Sequence, residues 1–242
     1  MNPPHTRETG DFMFHIYDPV NNMIAQTSVL TPVRYTPEPG PLISVDITRP
    51  DPTVGFRVTG SSAAFVFTVE TRNLLQTGEV IEFKIPHTQL TLIDDEQTMV
   101  CLSRSSANPQ LIDATCTAEV VDGEEFFVLR YPVYCSSICE TLATFELHVS
   151  AGLQNPTWIP SPDLVDSIEV ATYTSDLLYK IDSRTSNVLV SPSLAEGYIS
   201  DMNLAKTPGL VGALTDFTFE MMTLNLIPSE GYLTISFQDD SL

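Results

Sequence analysis

Cysteine supplies the clearest chemistry in this sequence. Cys101, Cys116, Cys135 and Cys139 fall within a stretch of 39 residues, an even and local set that suits two disulfides formed in an oxidising compartment. Three pairings are open, of which Cys101 with Cys116 and Cys135 with Cys139 close the smallest loops. Free buried thiols in a reducing cell are the competing reading. Zinc is not expected, since His5, His15, His87 and His148 stand singly and no CxxC pair accompanies them. Carboxylates cluster at Asp94-Asp95-Glu96, Asp122-Gly123-Glu124-Glu125 and Asp239-Asp240. Such groups can hold calcium between rod-like modules, but none has an EF-hand spacing and their composition is that of solvated turns.

Catalysis finds no foothold. No serine sits in a GxSxG elbow, no cysteine carries a nucleophile signature with a histidine partner, and Gly55-x-x-x-x-Gly60 lacks the lysine of a phosphate loop. The expectation is therefore a protein that is not an enzyme, with no catalytic residue, no cofactor and no metal. A hydrolase built on carboxylates paired only in space is the contrary hypothesis, tested by turnover that one carboxylate change abolishes. Trp158, the single tryptophan, lies in NPTWIPSP. Its rigid surroundings suit a cap on the end of a sandwich better than an anchor for a partner or a sugar platform, the latter usually needing more than one aromatic.

The elements that must carry these residues are strands. Eighteen prolines stand against eleven glycines, and Thr, Val, Ile, Phe and Tyr are abundant, which favours strands and extended connectors over long helices. Hydrophobic residues make up 43% and charged ones 17%, so the chain folds rather than remaining an acidic coil. Its net charge of −20 repels phosphate backbones and anionic headgroups, so neither nucleic acid nor membrane is an expected partner. No run of about 18 apolar residues is present to span a bilayer. The start, MNPPHTRETGDFMF, lacks the basic and apolar regions of a signal peptide, so a leader has been removed or the chain opens inside a longer precursor. Asn155-Pro156-Thr157 is blocked as an N-glycan site by its proline, leaving the many Ser and Thr as possible O-glycan sites.

Period-2 alternation marks Ala63 to Val69, Val80 to Ile85, Met99 to Leu102, Thr115 to Val121, Phe126 to Tyr131, Phe145 to Val149 and Ile168 to Tyr173. Short alternating runs closed by turn residues predict an all-β, antiparallel, immunoglobulin-like sandwich. Only SSICETL, around Cys139, reads as a helical turn. Nine prolines precede residue 53, so the segment from Leu30 to Thr53 is expected to be extended, part polyproline and part edge strand.

Self-comparison is the most informative step. Val58 to Pro86 laid over Leu210 to Gln238 at a fixed offset of 152 pairs Gly60 with Gly212, Phe65 with Phe217, Phe67 with Phe219, Thr71 with Thr223, Asn73 with Asn225 and Leu74 with Leu226. Ile81, Phe83 and Ile85 then face Leu233, Ile235 and Phe237. Six identities in 29 positions exceed the roughly two expected by chance. A weaker echo sets Phe12-x-Phe14-x-x-Tyr17 and Ile24 over Ile168-x-Val170-x-x-Tyr173 and Ile181. Three units follow: an extended arm with a strand of a preceding repeat in 1–57, a complete repeat in 58–209, and the first strands of a following repeat in 210–242.

The last unit alone would expose Phe217, Phe219, Leu233, Ile235 and Phe237, and leaving such side chains in water forfeits on the order of 1.5–3 kcal/mol each. Its cover is expected from the main domain, from the chain's own N-terminal strand, or from the Phe12, Phe14 and Ile16 arm of a neighbouring copy. The third route joins copies head to tail and does not close, so it builds a homopolymer.

The FxFxxxxxNLLxxGxxIxFxIP run of Phe65 to Pro86, with Cys101, Cys116, the Asn155-Pro156 turn and the TYTSD of Thr172 to Asp176, resembles a repeat of very large extracellular proteins of ciliates and related protists. Those are regarded as tandem immunoglobulin-like or cadherin-like modules on the cell surface. The resemblance covers most of residues 58 to 238 and implies an extracellular or cell-surface, structural or adhesive role. It brings no catalytic residues. A filament or surface-layer subunit is the resulting expectation. The alternative is an adhesin or receptor ectodomain that binds a ligand through its loops.

Overall fold

Alternation of apolar and polar residues has its physical consequence in the computed structural model, which is all β with no helix among the described residues. Those residues are 15–26, 38–50, 59–94, 96–121, 125–135, 139, 142–159, 166–184, 188–194, 199–207, 214, 216–223, 227 and 231–236. Phe12, Phe14 and Phe237, most of the SSICETL stretch, and the acidic groups of residues 122–124 and 239–240 lie outside them.

The strands are β1 (His15–Tyr17), β2 (Met23–Gln26), β3 (Gly40–Pro41), β4 (Ser44–Thr48), β5 (Phe65–Glu70), β6 (Val80–Pro86), β7 (Thr91–Leu92), β8 (Glu96–Ser105), β9 (Asn108–Val120), β10 (Phe126–Pro132), β11 (Thr144–Val149), β12 (Leu153–Gln154), β13 (Glu169–Tyr173), β14 (Lys180–Arg184), β15 (Val190–Ser191), β16 (Ile199–Thr207) and β17 (Asp216–Thr223). Eleven of them form one curled sheet in the order β15-β4-β5-β11-β8-β9-β10-β6-β13-β14-β3. Two segments close the curl by changing partner midway. The run 40–48 pairs first with β14 and then, past Leu42 and Ile43, with β5 and β15. Strands β14 and β15 follow it in the same direction and order, β14 parallel to β3 and β15 parallel to β4.

Inward positions of both halves meet in a single core that includes Ile47, Phe65, Phe67, Ile81, Phe83, Phe127, Leu129, Phe145 and Leu147, all fully or almost fully buried. Phe67 and Phe83 lie with ring centroids 4.9 Å apart, in a tilted arrangement that aromatic quadrupoles favour. Burial of this kind contributes roughly 25 cal/mol per Å² of apolar surface, which makes the alternating strands the source of the fold's stability. The Tyr131 side chain faces the same core, and burial pushes its phenol far above the ordinary tyrosine range.

Residues 40–48 belong to this sheet, whereas sequence placed everything before 58 in a separate arm. Likewise β16 begins at Ile199, ahead of the expected boundary at 210. Both expected boundaries cut through the connection of a hairpin, β4–β5 or β16–β17. The cause is a length difference. Twenty residues separate the partners Ile47 and Phe67, while fifteen separate Leu204 and Phe219, so a comparison at one fixed offset is blind to the first strand of each hairpin.

Candidate functional site

Among the described residues two hairpins stand outside the eleven-stranded sheet, β1–β2 and β16–β17, and each resembles a hairpin inside it. In β4–β5, Val45 faces Val69 and Ile47 faces Phe67; in β16–β17, Met202 faces Met221 and Leu204 faces Phe219. The correspondence runs back in sequence to Gly40 and Gly197 at an offset of 157, then continues after the shortened connection at 152.

The N-terminal hairpin matches β13–β14 as closely. Each ladder shifts register one residue before its tyrosine, between Ile16 and Tyr17 and between Thr172 and Tyr173. Each then closes with a related turn, the second one residue longer than the first. The Asp18 N–H donates to the Asn22 carbonyl at 2.8 Å and Asn21 N–H to the Asp18 carbonyl at 3.0 Å; Thr174 N–H donates to the Tyr179 carbonyl at 2.9 Å and Leu177 N–H to the Thr174 carbonyl at 2.8 Å. Asn21 and Leu177 both adopt positive φ, 66° and 60°, a conformation that asparagine tolerates and leucine adopts only where surrounding contacts enforce it. The Asp18 carboxylate holds its turn by accepting from the Asn22 side chain and the Asn22 and Val20 backbone N–H groups, and these bonds, led by the Asn22 side chain, lower its pKa.

Matched residues differ in burial. Ile47, Phe65, Ile81 and Phe83 are completely buried, whereas Leu204, Phe217, Leu233 and Ile235 are exposed to 53%, 41%, 48% and 43%. Ile16 is exposed as well. The structure thus places Ile16 on the first hairpin and Phe217 and Phe219 on the second, with Leu233 and Ile235 in the segment that follows it.

No family model, no curated protein and no solved structure matches this chain. Its own internal repetition is therefore the comparison that carries information.

Fixed polar groups tie the main sheet together. Asp182, fully buried, accepts from the Asn73 side chain at 2.7 Å and the Asn73 backbone at 3.0 Å. Gly40 packs so close to this pair that an added Cβ would lie 2.3 Å from Asp182 Oδ1. Buried Arg49 donates to Asn155 Oδ1 at 3.0 Å and to the Pro192 carbonyl, with its guanidinium over the Phe65 ring. On the outer face Arg104 grips Glu146 with two bonds of 2.9 Å. Partial burial opposes the Glu146 charge, but the bonds from Arg104 and His148 outweigh it and hold the carboxyl below its usual range. Across β10, Arg130 bonds Glu82 at 2.6 Å and also Glu119. Tyr173 is pushed up to about 12 by burial and by the neighbouring Glu82.

The cysteines form two disulfides, Cys101–Cys116 across β8 and β9, and Cys135–Cys139 beyond the end of β10. Among the described residues no group of three or more His, Cys, Asp or Glu could hold a metal ion. No helix among them is long and apolar enough to cross a membrane. Trp158 is half exposed on a loop pinned at Asn155 and Pro156, more open than the capping role read from sequence.

Proposed function

We propose that this chain is a non-enzymatic structural segment of an extracellular filament or cell-surface layer, built from immunoglobulin-like β-sandwich modules placed end to end. The modules follow one another within a longer polypeptide or through head-to-tail contacts between copies. One observation carries the reading. The N-terminal hairpin repeats β13–β14 and the C-terminal hairpin repeats β4–β5, so the complete module is flanked by the closing strands of one module and the opening strands of another.

The sheet order sharpens this. Together the two hairpins and the segment after the second, which matches β6, would supply both flanks of a module and lack the contiguous run β11-β8-β9-β10. One arm donated to one partial sheet therefore does not complete a module; the four strands of that run must be added. The polarity of the strands also suits a linear array. The chain enters at the start of the 40–48 run and leaves after β15, which lies parallel to the end of that run, so entry and exit are at opposite ends. Two disulfides fit an oxidising extracellular setting.

Negative-stain microscopy of the full chain tests the reading. Strings of globular units with a regular spacing are expected, growing with concentration. Separate compact particles at every concentration would overturn assembly between copies and leave only modules joined within one polypeptide.

A loop-mediated adhesin is the second reading, favoured by the half-exposed Trp158 on its pinned loop. It predicts that Trp158→Ala removes adhesion to a cell surface while leaving the particles unchanged.

A further inference from the structure

In a chain with 31 acidic and 11 basic residues, long uncharged segments are conspicuous. Three segments with no charged residue converge at the exit end of the main sheet: Thr59–Ala64, Ser150–Ile159 and Ser191–Leu194. Hydrogen bonds lock them together. Gly60 N–H donates to the Pro156 carbonyl at 2.9 Å, Asn155 N–H to the Ser61 carbonyl at 2.9 Å, and Asn155 Nδ2 to Ser61 Oγ at 3.1 Å. Arg49 reaches from β4 to both Asn155 and the Pro192 carbonyl. On this fixed base Trp158 is 49% exposed and Ile159 41% exposed. Ile93, whose N–H donates to the Gly152 carbonyl at 3.1 Å, is a third exposed apolar side chain bonded to the second of these segments.

The opposite end has its own apolar residues. Strand registers put the start of β11, the end of β10 and the β13–β14 turn together at the end where the chain enters. There Leu142 is 58% and Leu178 70% exposed, with Leu177 and Tyr134 also open. Within that turn the Asp176 carboxylate is engaged, accepting from Thr174 Oγ1 at 2.5 Å and Leu178 N–H at 3.1 Å.

We propose that the exit end, through Trp158 and Ile159, seats the entry end of the next module, through Leu142 and the Leu177–Leu178 turn, a second copy of this module being the occupant. The proposal rests on the end-to-end reading above and names its contact faces. The polypeptide itself argues for this occupant: it leaves the main sheet at Pro192, which Arg49 ties to Asn155, and from Ile199 forms a hairpin patterned like β4–β5, with which the module itself opens. Fixed loops with an aromatic anchor lose little entropy on docking, as strong contact sites require.

Sedimentation velocity on the full chain tests the interface, using Trp158→Asp, Leu178→Asp and their equimolar mixture, with circular dichroism confirming that each variant keeps its fold. Wild-type chains are expected to associate with rising concentration, with a blue shift of the emission of Trp158, the single tryptophan. Each variant should remain monomeric. Their mixture should recover pairs and stop there, because each variant retains one intact end and an unlike-ended contact needs one of each. A wild-type chain monomeric throughout, variants that associate like wild type, or a mixture that recovers nothing would each overturn the proposal. Strings seen in the microscope that persist in both variants would remove this interface while leaving the modular array standing.

Discussion

Strands β5 and β17 share a sequence pattern but not an environment. Phe65, Phe67 and Val69 are fully buried between β4 and β11, while Phe217 is exposed and the inward positions of β17 keep only the trace of alternation. The same holds one strand earlier, where Ile47 is buried and Leu204 is 53% exposed. Local pattern therefore sets strand formation, register and turn, and it does so equally in both hairpins. Stability comes from the layer above and the strands beside, which the main sheet supplies to β5.

The comparison breaks most sharply at the buried member of each pair. Ile47→Ala should cost about 2–5 kcal/mol in urea unfolding of the full chain, whereas Leu204→Ala should stay within about 0.5 kcal/mol. Equal losses would mean the two hairpins are covered alike. Replacing Cys101 and Cys116 by serine removes a crosslink of sequence separation 15 and should cost about 3 kcal/mol, read as a lower denaturation midpoint. The terminal hairpin, which carries no cysteine, should be unaffected in the same sample.

Gly40→Ala drives a methyl group into the Asp182–Asn73 pair and is expected to destabilise the main sheet by about 1–3 kcal/mol. Asp182→Asn at the same clasp would show whether charge or shape dominates there. The smallest effect belongs to the surface. Because the Glu146 pKa is lowered in the folded chain, its contribution is present above the ordinary carboxylate range and disappears as pH falls through the folded value. Glu146→Gln should thus cost less than about 1 kcal/mol near neutral pH, and the difference from wild type should vanish in acid.

Much of this was legible from residue pattern alone. Every alternating run predicted a strand that is present, and Phe65 and Phe217, like Tyr17 and Tyr173, lie in hairpins of similar pairing whose connections differ in length. The start of the complete unit was misplaced because Gly40–Thr48 is rich in turn formers around a short apolar core, and its twin is hidden by a five-residue shortening. A gapped comparison of PGPLISVDI with EGYISDMNL would have found it. The first half of β9, Asn108 to Asp113, was missed because its Asn-Pro start reads as a turn and its side chains are largely exposed. The uncharged exit end was hidden for another reason: its three segments are scattered in sequence, and only the fold brings them together.

Hydrogen exchange on the intact chain addresses the central claim, that the second hairpin lacks here the cover its twin enjoys. The backbone amides of Phe65–Glu70 should exchange only on global unfolding, while those of Asp216–Thr223 should exchange by local opening at much lower free energy in dilute protein. Equal protection of the two strands would contradict the account, since it would mean that the terminal strands are held in the chain's own core.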